Sequence, residues 1–334
     1  MKVLVVRFSS IGDIVLTSPV VRGLSEQVGA EVHYLTKARF AELVTSIPFI
    51  SKVHAISRSV SEVSDELRAE RYDAIIDLHV NLRSLQVRWL LFGVRTYAFH
   101  KLNVRKWVLT NLKIDVLPRV HIVDRYLAAA EGLGVYSDGK GLDFRIPQEA
   151  QLNVQQKWPE LSDSRGFVAF SIGATHATKR LPTEKIEAVC RMLPVPVVLL
   201  GGDDMAESGQ QLERTVGSRV VNACGRLSLF QSASVIDQAS VVLTHDTGLM
   251  HIAAALKKPI VSVWGNTVPA FGMTPYLPDD NIPSAIMEVA GLSCRPCSKI
   301  GHARCPRGHF RCMREQDESI IASTVMQCLG QTEN

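Results

Sequence analysis

The chain has 334 residues, enough for two ordinary domains and too many for one small module. Hydrophobic residues make up 46% and charged residues 21%, which excludes wholesale disorder. Lys and Arg total 37 against 33 Asp and Glu, a net charge of +4. That excess is too small to argue for nucleic acid, yet it suits a protein that handles anionic substrates.

From the amino end, Met1–Arg7 holds four consecutive apolar residues before Arg7 closes the run. A signal peptide needs roughly 7–15 apolar residues, and a membrane span ~18–20, so the expectation is a cytoplasmic chain. In that compartment its seven cysteines are expected as thiols or metal ligands rather than disulfides. Val3–Val6 predicts a buried strand that ends in the polar loop Phe8-Ser9-Ser10-Ile11-Gly12-Asp13. A helix carrying Val20, Val21 and Leu24 follows, with Pro19 in its first turn and Ser18 as its cap. Further strands are predicted at 32–35 and 74–78. Turn residues gather at 137–141, and Pro147 with 158–164 reads as a linker region. Beyond it, strands are predicted at 167–172, 195–200, 240–244 and 259–264. Helices are predicted near 183–192 and through Leu249, Ile252, Ala253 and Leu256. The alternation predicts an α/β fold of two successive doubly wound units, 1–155 and 156–334, with the last helix packing back on the first. Ligands of such sheets bind outside the carboxyl ends of the strands, so the polar loops there are the places to look.

Three loops qualify. In Ser9–Asp13, the carboxylate of Asp13 follows a glycine at a strand mouth, as a catalytic group or as a helix-end charge. In Gly173–Arg180, small residues, hydroxyls and two cations form a phosphate cradle or a solvated basic loop. In His245–His251, Asp246 or Thr247 caps the following helix, and Gly248 leaves backbone N–H groups open to an anion. His251 reads equally as a hydrogen-bonded core histidine. No G-x-S-x-G elbow or H-E-x-x-H motif supports a hydrolase or a zinc protease.

Two further stretches stand out. Residues 83–113 carry Arg83, Arg88, Arg95, Lys101, Arg105, Lys106 and Lys113 with no acid, interleaved with Trp89, Phe92, Tyr97, Phe99 and Trp107. Such a stretch is a solvated face with core aromatics, or a contact for a polyanionic acceptor at a membrane surface. Cys294, Cys297, Cys305, His309 and Cys312 fall within nineteen residues, a candidate structural Zn site against free thiols or a disulfide, at a spacing unlike standard zinc modules.

Several segments occur in an order and spacing that resembles the ADP-heptose:lipopolysaccharide heptosyltransferases, glycosyltransferase family 9. They are Arg7–Pro19, Asp77-Leu78-His79 with Asn81-Leu82-Arg83-Ser84, Thr175–Pro182 and Asp246–His251. The resemblance implies a GT-B fold, two Rossmann-like domains facing across a cleft, with the acceptor on the amino-terminal domain and the sugar nucleotide on the other. It implies inverting transfer of heptose from ADP-heptose to the lipopolysaccharide inner core. Asp13 then matches the general base, with Asp77 and His79 weaker alternatives. Thr175, Lys179, Glu207, Asp246, Thr247, Gly248 and His251 match donor-binding positions. Ser10, Gly12, Asn81, Arg83, Arg105 and Lys106 fall to a phosphorylated lipid-linked acceptor at the inner membrane surface. The chemistry as implied requires no cofactor, and nucleic acid is not a partner. The chain departs from the family where some members carry a Thr-Thr pair, here Ala174-Thr175, and where acids precede the lysine, here Ala177-Thr178. Alternatives are a GT-B transferase for another nucleotide sugar or glycan, a sugar-nucleotide epimerase and a non-catalytic glycan-binding protein.

Overall fold

A computed structural model describes residues 1–161 and 166–331, so the linker reading at 158–164 falls partly outside the described residues. The chain divides into two compact units: Met1–Leu102 with Val120–Arg145, and Asn103–Arg119 with the chain from Ile146 onward.

The first unit is built on a parallel sheet of β1 (Lys2–Val6), β2 (Glu31–Lys37), β3 (Ile50–Ile56), β4 (Ala74–Asp77) and β5 (Arg95–Ala98), in the order β3-β2-β1-β4-β5. Central β1 pairs Val3–Val6 with Val32–Leu35 on one side and Ala74–Asp77 on the other. Both of its faces are covered, so Val3–Val6 are fully buried, as a run of branched apolar residues requires. The second unit holds β6 (Val168–Ser171), β7 (Val197–Leu200), β8 (Val220–Asn222), β9 (Val241–His245), β10 (Ile260–Trp264) and β11 (Ser284–Glu288), in the order β11-β10-β9-β6-β7-β8. Each unit is therefore Rossmann-like, and the order reverses between β1 and β4 and again between β6 and β9.

The boundary differs from the predicted 155/156 in two places. Residues from Ile146 dock on the helix Leu229–Gln238: the Leu152 amide donates to Ser234 Oγ at 2.9 Å, and Gln238 Nε2 donates to the Leu152 carbonyl at 2.7 Å. Residues 103–119 are tied to the second unit by Lys113, whose ammonium donates to the carbonyls of Cys294 and Pro296. The last helix, Glu318–Gln331, also lies in the second unit. Its Ile321, Ala322, Val325 and Cys328 join that unit's core.

Candidate functional site

In the first unit, the polar loop after β1 is shorter than predicted, because a helix already starts at Ile11 and runs to Val15. Ser10 caps it. The Asp13 carboxylate reaches back to accept from the Ser10 amide at 3.2 Å and the Ser10 hydroxyl at 2.8 Å. Its other oxygen pairs with Arg7 Nη2 at 2.7 Å. Arg7 is buried, and its remaining donors reach the carbonyls of Ser9 and Leu78 and the hydroxyl of Tyr126. A carboxylate held on both oxygens has a set direction, which a group meant to accept one proton at one place needs.

The loop after β4 lies alongside. Asp77 is buried, and its Oδ1 accepts from the amides of His79 and Val80, so this acid shapes the turn. The His79 ring meets Phe8 edge to face at 5.3 Å. Burial, reinforced by the charges of Arg7 and Lys101, pushes its pKa down to about 3, which leaves it neutral. The Arg83 guanidinium lies 5.6 Å from the centre of the Phe8 ring. Lys37, its pKa lowered by burial and by Arg83 and Arg39, belongs to the same cationic neighbourhood. Asn81 caps the helix Leu82–Leu90 by accepting from the Ser84 amide.

In the second unit, Lys179 follows β6 and Asp246 follows β9, the two strands at the reversal. The Lys179 ammonium pairs with Asp246 Oδ2 at 2.7 Å and donates to the Asp246 carbonyl at 3.2 Å. Thr267, from the loop after β10, donates to the same Oδ2 at 2.8 Å. Thr247 is the cap residue of the helix Gly248–Ala255, whose first turn is only half-buried. His245 is fully buried, its pKa pushed down to about 3 by burial, and its neutral Nε2 accepts from the Leu181 amide at 3.0 Å. That bond fixes the exit of the Lys179 loop. Asn266, also after β10, is buried, and neither polar atom of its side chain has a partner among the described residues.

The cysteine-rich stretch lies across this loop. The Thr178 amide donates to the His302 carbonyl at 3.2 Å, and the His302 amide donates to Thr178 Oγ1 at 2.8 Å. Gly301 has φ +123°, and a Cβ there would lie 2.5 Å from His176 Cβ. A Cβ on Gly265 would lie 2.6 Å from the Thr178 carbonyl oxygen, so this glycine lets the β10 loop pass close beneath.

The candidate metal set is not drawn to ligand spacing, although the Cys312 thiol, its pKa pushed up by burial, is raised further by the neighbouring thiols of Cys297, Cys305 and Cys294. Among the described residues, no three ligand atoms of Cys294, Cys297, Cys305, His309 and Cys312 come within 4.8 Å of one another, and all the cysteines are free. His309 Nδ1 accepts from the Arg311 amide, Cys297 Sγ donates to the Cys294 carbonyl and Cys312 is buried in the core. The group that does gather is His33, His54 and Glu70 in the first unit. There the Tyr72 hydroxyl sits between the two rings at 3.0 and 2.9 Å, while Glu70 is held by Lys2 and Lys52 and its pKa falls to about 2. A cation on Glu70 would meet two ammonium groups, so these side chains form a hydrogen-bonded network and do not fit a metal.

Ser10, Gly12, Asp13 and Arg83 thus share one end of the first sheet, and Lys179, Asp246, Thr247 and Gly248 one end of the second. Thr175 is exposed in its loop, and Glu207 is exposed in the first turn of the helix Ala206–Val216. His251 is buried. Arg105 and Lys106 lie on the helix Asn103–Leu112, which belongs to the second unit and not to the one that holds Asp13. There the Lys106 ammonium stands 5.7 Å over Phe271, and Lys113 anchors the segment that carries the helix. Sequence reading did not single out Thr267 and Asn266, although their place after a parallel strand is a sufficient signal. For Tyr126 and His302 the sequence carries none.

Comparison with known proteins shows the family and the fold. The family model "Glycosyltransferase family 9 (heptosyltransferase)" matches residues 60–301. Lipopolysaccharide heptosyltransferase 1 of Campylobacter coli is 21% identical over 80% of this chain and 84% of its own. Lipopolysaccharide heptosyltransferase 2 of Escherichia coli is 24% identical over 81% and 84%. The solved structure of the E. coli ADP-heptose lipopolysaccharide heptosyltransferase II superposes with a TM-score of 0.75 over the whole of both chains, at 21% identity.

Proposed function

The chain belongs to glycosyltransferase family 9, and from that premise we propose that it moves a heptose from ADP-heptose to the lipopolysaccharide inner core, with inversion at the anomeric carbon. The names of its relatives support the donor and the acceptor class. The observation that carries the reading is the placement of one polar constellation at the strand-order reversal of each sheet, Asp13 in the first and Lys179 with Asp246 in the second.

In this reading Asp13 accepts the proton of the acceptor hydroxyl as that oxygen attacks the anomeric carbon from the face opposite ADP. The Arg7 pair aims the carboxylate. The departing ADP gathers negative charge, which Lys179 and the amino end of the helix Gly248–Ala255 stabilise more in the transition state than in the ground state. Asp246 holds Lys179 and, being an anion, does not itself touch phosphate. Thr175, Glu207, Thr247 and His251 complete the donor side, and Ser10, Gly12, Asn81 and Arg83 the acceptor side. The acceptor is phosphorylated and lipid-linked, and the enzyme works on the cytoplasmic side of the inner membrane. Among the described residues no helix is long and apolar enough to cross a membrane.

The test is a panel of ADP- and UDP-sugars with truncated core acceptors, read by product mass and anomeric linkage. ADP-heptose is expected to give a single inverted product. Asp13→Asn should keep its ADP affinity and melt lower, because buried Arg7 loses its counter-charge, while kcat measured well below that melting temperature falls at least ~10²-fold. Near-normal turnover by that variant would leave Asp13 only a structural partner of Ser10 and Arg7.

A further inference from the structure

The helix Leu82–Leu90 has two apolar faces. One carries Ser84 and Val87, with Leu91 just beyond, and is buried against the first sheet. The other carries Leu82, Leu85 and Trp89, continued by Phe92 in the turn that follows, at spacings of three, four and three residues. These four side chains are 82%, 40%, 76% and 95% exposed. A helix on a soluble domain normally turns charge outward, so an aromatic and aliphatic stripe in water marks a contact surface.

The charge around it identifies the contact. Within the first unit, residues 78–102 hold no Asp or Glu and four cations, Arg83, Arg88, Arg95 and Lys101. Arg88 on the helix and Arg95 at the start of β5 are exposed, and β5 is the edge strand of its sheet. A Trp and a Phe beside the exposed Arg88 and followed by Arg95, with no acid on the helix or in β5, suit the interface of an anionic bilayer, where apolar rings enter the acyl boundary and cations meet headgroups. A protein partner with an acidic rim would match the charge but would ordinarily be met by mixed polar groups around the apolar centre.

We propose that the Leu82–Leu85–Trp89–Phe92 face, with Arg88 and Arg95, docks the first unit on a bilayer of anionic phospholipid. The inference deepens the reading of the acceptor as lipid-linked and rests on it for its purpose, but its binding test needs no acceptor. The full chain is sedimented with vesicles of phosphatidylethanolamine and phosphatidylglycerol, and with vesicles of phosphatidylcholine alone. Wild type is expected to bind the first and not the second. Trp89→Ser with Phe92→Ser should lower partitioning at least about tenfold. Arg88→Glu with Arg95→Glu should do likewise and flatten the salt dependence. Ile320→Ser, an exposed apolar residue of the last helix, is the control and should bind as wild type. All three variants should melt as wild type, since each side chain is exposed. Transfer to a delipidated, water-soluble acceptor should be unchanged in the Trp89/Phe92 variant. Transfer to vesicle-embedded acceptor should fall with binding. Equal binding to both vesicle types, or full binding by the Trp89/Phe92 variant, overturns the proposal. So does a wild-type dimer in sedimentation equilibrium that the same variant abolishes, because a second copy is then the occupant. Wild type that binds anionic vesicles but glycosylates no acceptor overturns the proposed function and leaves this surface standing.

Discussion

A guanidinium taken out of water costs several kcal/mol, on the order of the penalty for any buried ion, unless its donors find partners. Arg7 meets that condition with the Asp13 carboxylate, the Tyr126 hydroxyl and the carbonyls of Ser9 and Leu78. Lys179 is held the same way by Asp246, which Thr267 secures in turn. This arrangement makes a prediction about coupling. Lys179→Ala should lower kcat/KM by ~10²–10³-fold, the scale for losing one transition-state donor. Asp246→Asn should cost less, and in the Lys179→Ala background it should cost almost nothing, because its effect passes through the lysine. Steady-state kinetics on the two single variants and the double variant gives the cycle. Additive losses would mean that Asp246 acts on the donor independently. Asp13, Lys179 and Asp246 were legible in the sequence because each sits in a short motif just after a strand. Their supports were not. Tyr126 lies 119 residues from Arg7, and Thr267 lies 21 from Asp246 across a helix and a strand.

At the level of elements, the strands that sequence reading found and those it missed divide cleanly. The seven it found are mostly apolar and buried, with breaks such as His33 in β2 and Ser262 in β10. The other four described strands, β3, β5, β8 and β11, are the outer strands of the two sheets. An outer strand is covered on fewer sides, so polar residues interrupt its pattern: β3 reads ISKVHAI and β11 reads SAIME, with exposed residues in both. The helix at 183–192 was legible throughout because its apolar period meets one buried face. The small helix Ile11–Val15 was not, since five residues hold too little period to show. The role of the cysteine stretch stayed open in the sequence because its spacing says nothing of where His302 lands. Its bonds to Thr178 make it a brace for the Lys179 loop, and Gly301 is the point of closest approach. Gly301→Val should therefore strain the left-handed backbone and push against His176, at about 1–3 kcal/mol of stability. Its ADP affinity should fall with it. Calorimetry on the variant checks this, and unchanged ADP binding in a well-folded protein would show that the brace does not shape the loop.

For the molecule as a whole, the two units share an acid weakness. Half-buried His79 in the first and fully buried His245 in the second are neutral, each with a pKa near 3 in the folded chain against an ordinary value of ~6.5 in the unfolded one. Below that upper value the unfolded chain binds protons that the native chain refuses. The stability they allow is complete above pH ~6.5 and is lost as pH falls toward 3. Denaturation midpoints should be flat above neutrality and decline between pH 6.5 and 4. His79→Gln should make the decline shallower by about one proton. A wild-type midpoint that holds steady to pH 4 would contradict the burial of both rings.

The brace across the Lys179 loop also orders events in time. Thr178 and His302 are 124 residues apart in the chain, so ribosomal synthesis passes through most of the second unit between one and the other. Until His302 has emerged, the loop lacks the backbone partners that shape it, however well β6 and the first unit have folded. A nascent chain therefore acquires its Asp13 loop early and its Lys179 loop among the last steps. A ribosome stalled upstream of residue 302 presents no finished Lys179 loop.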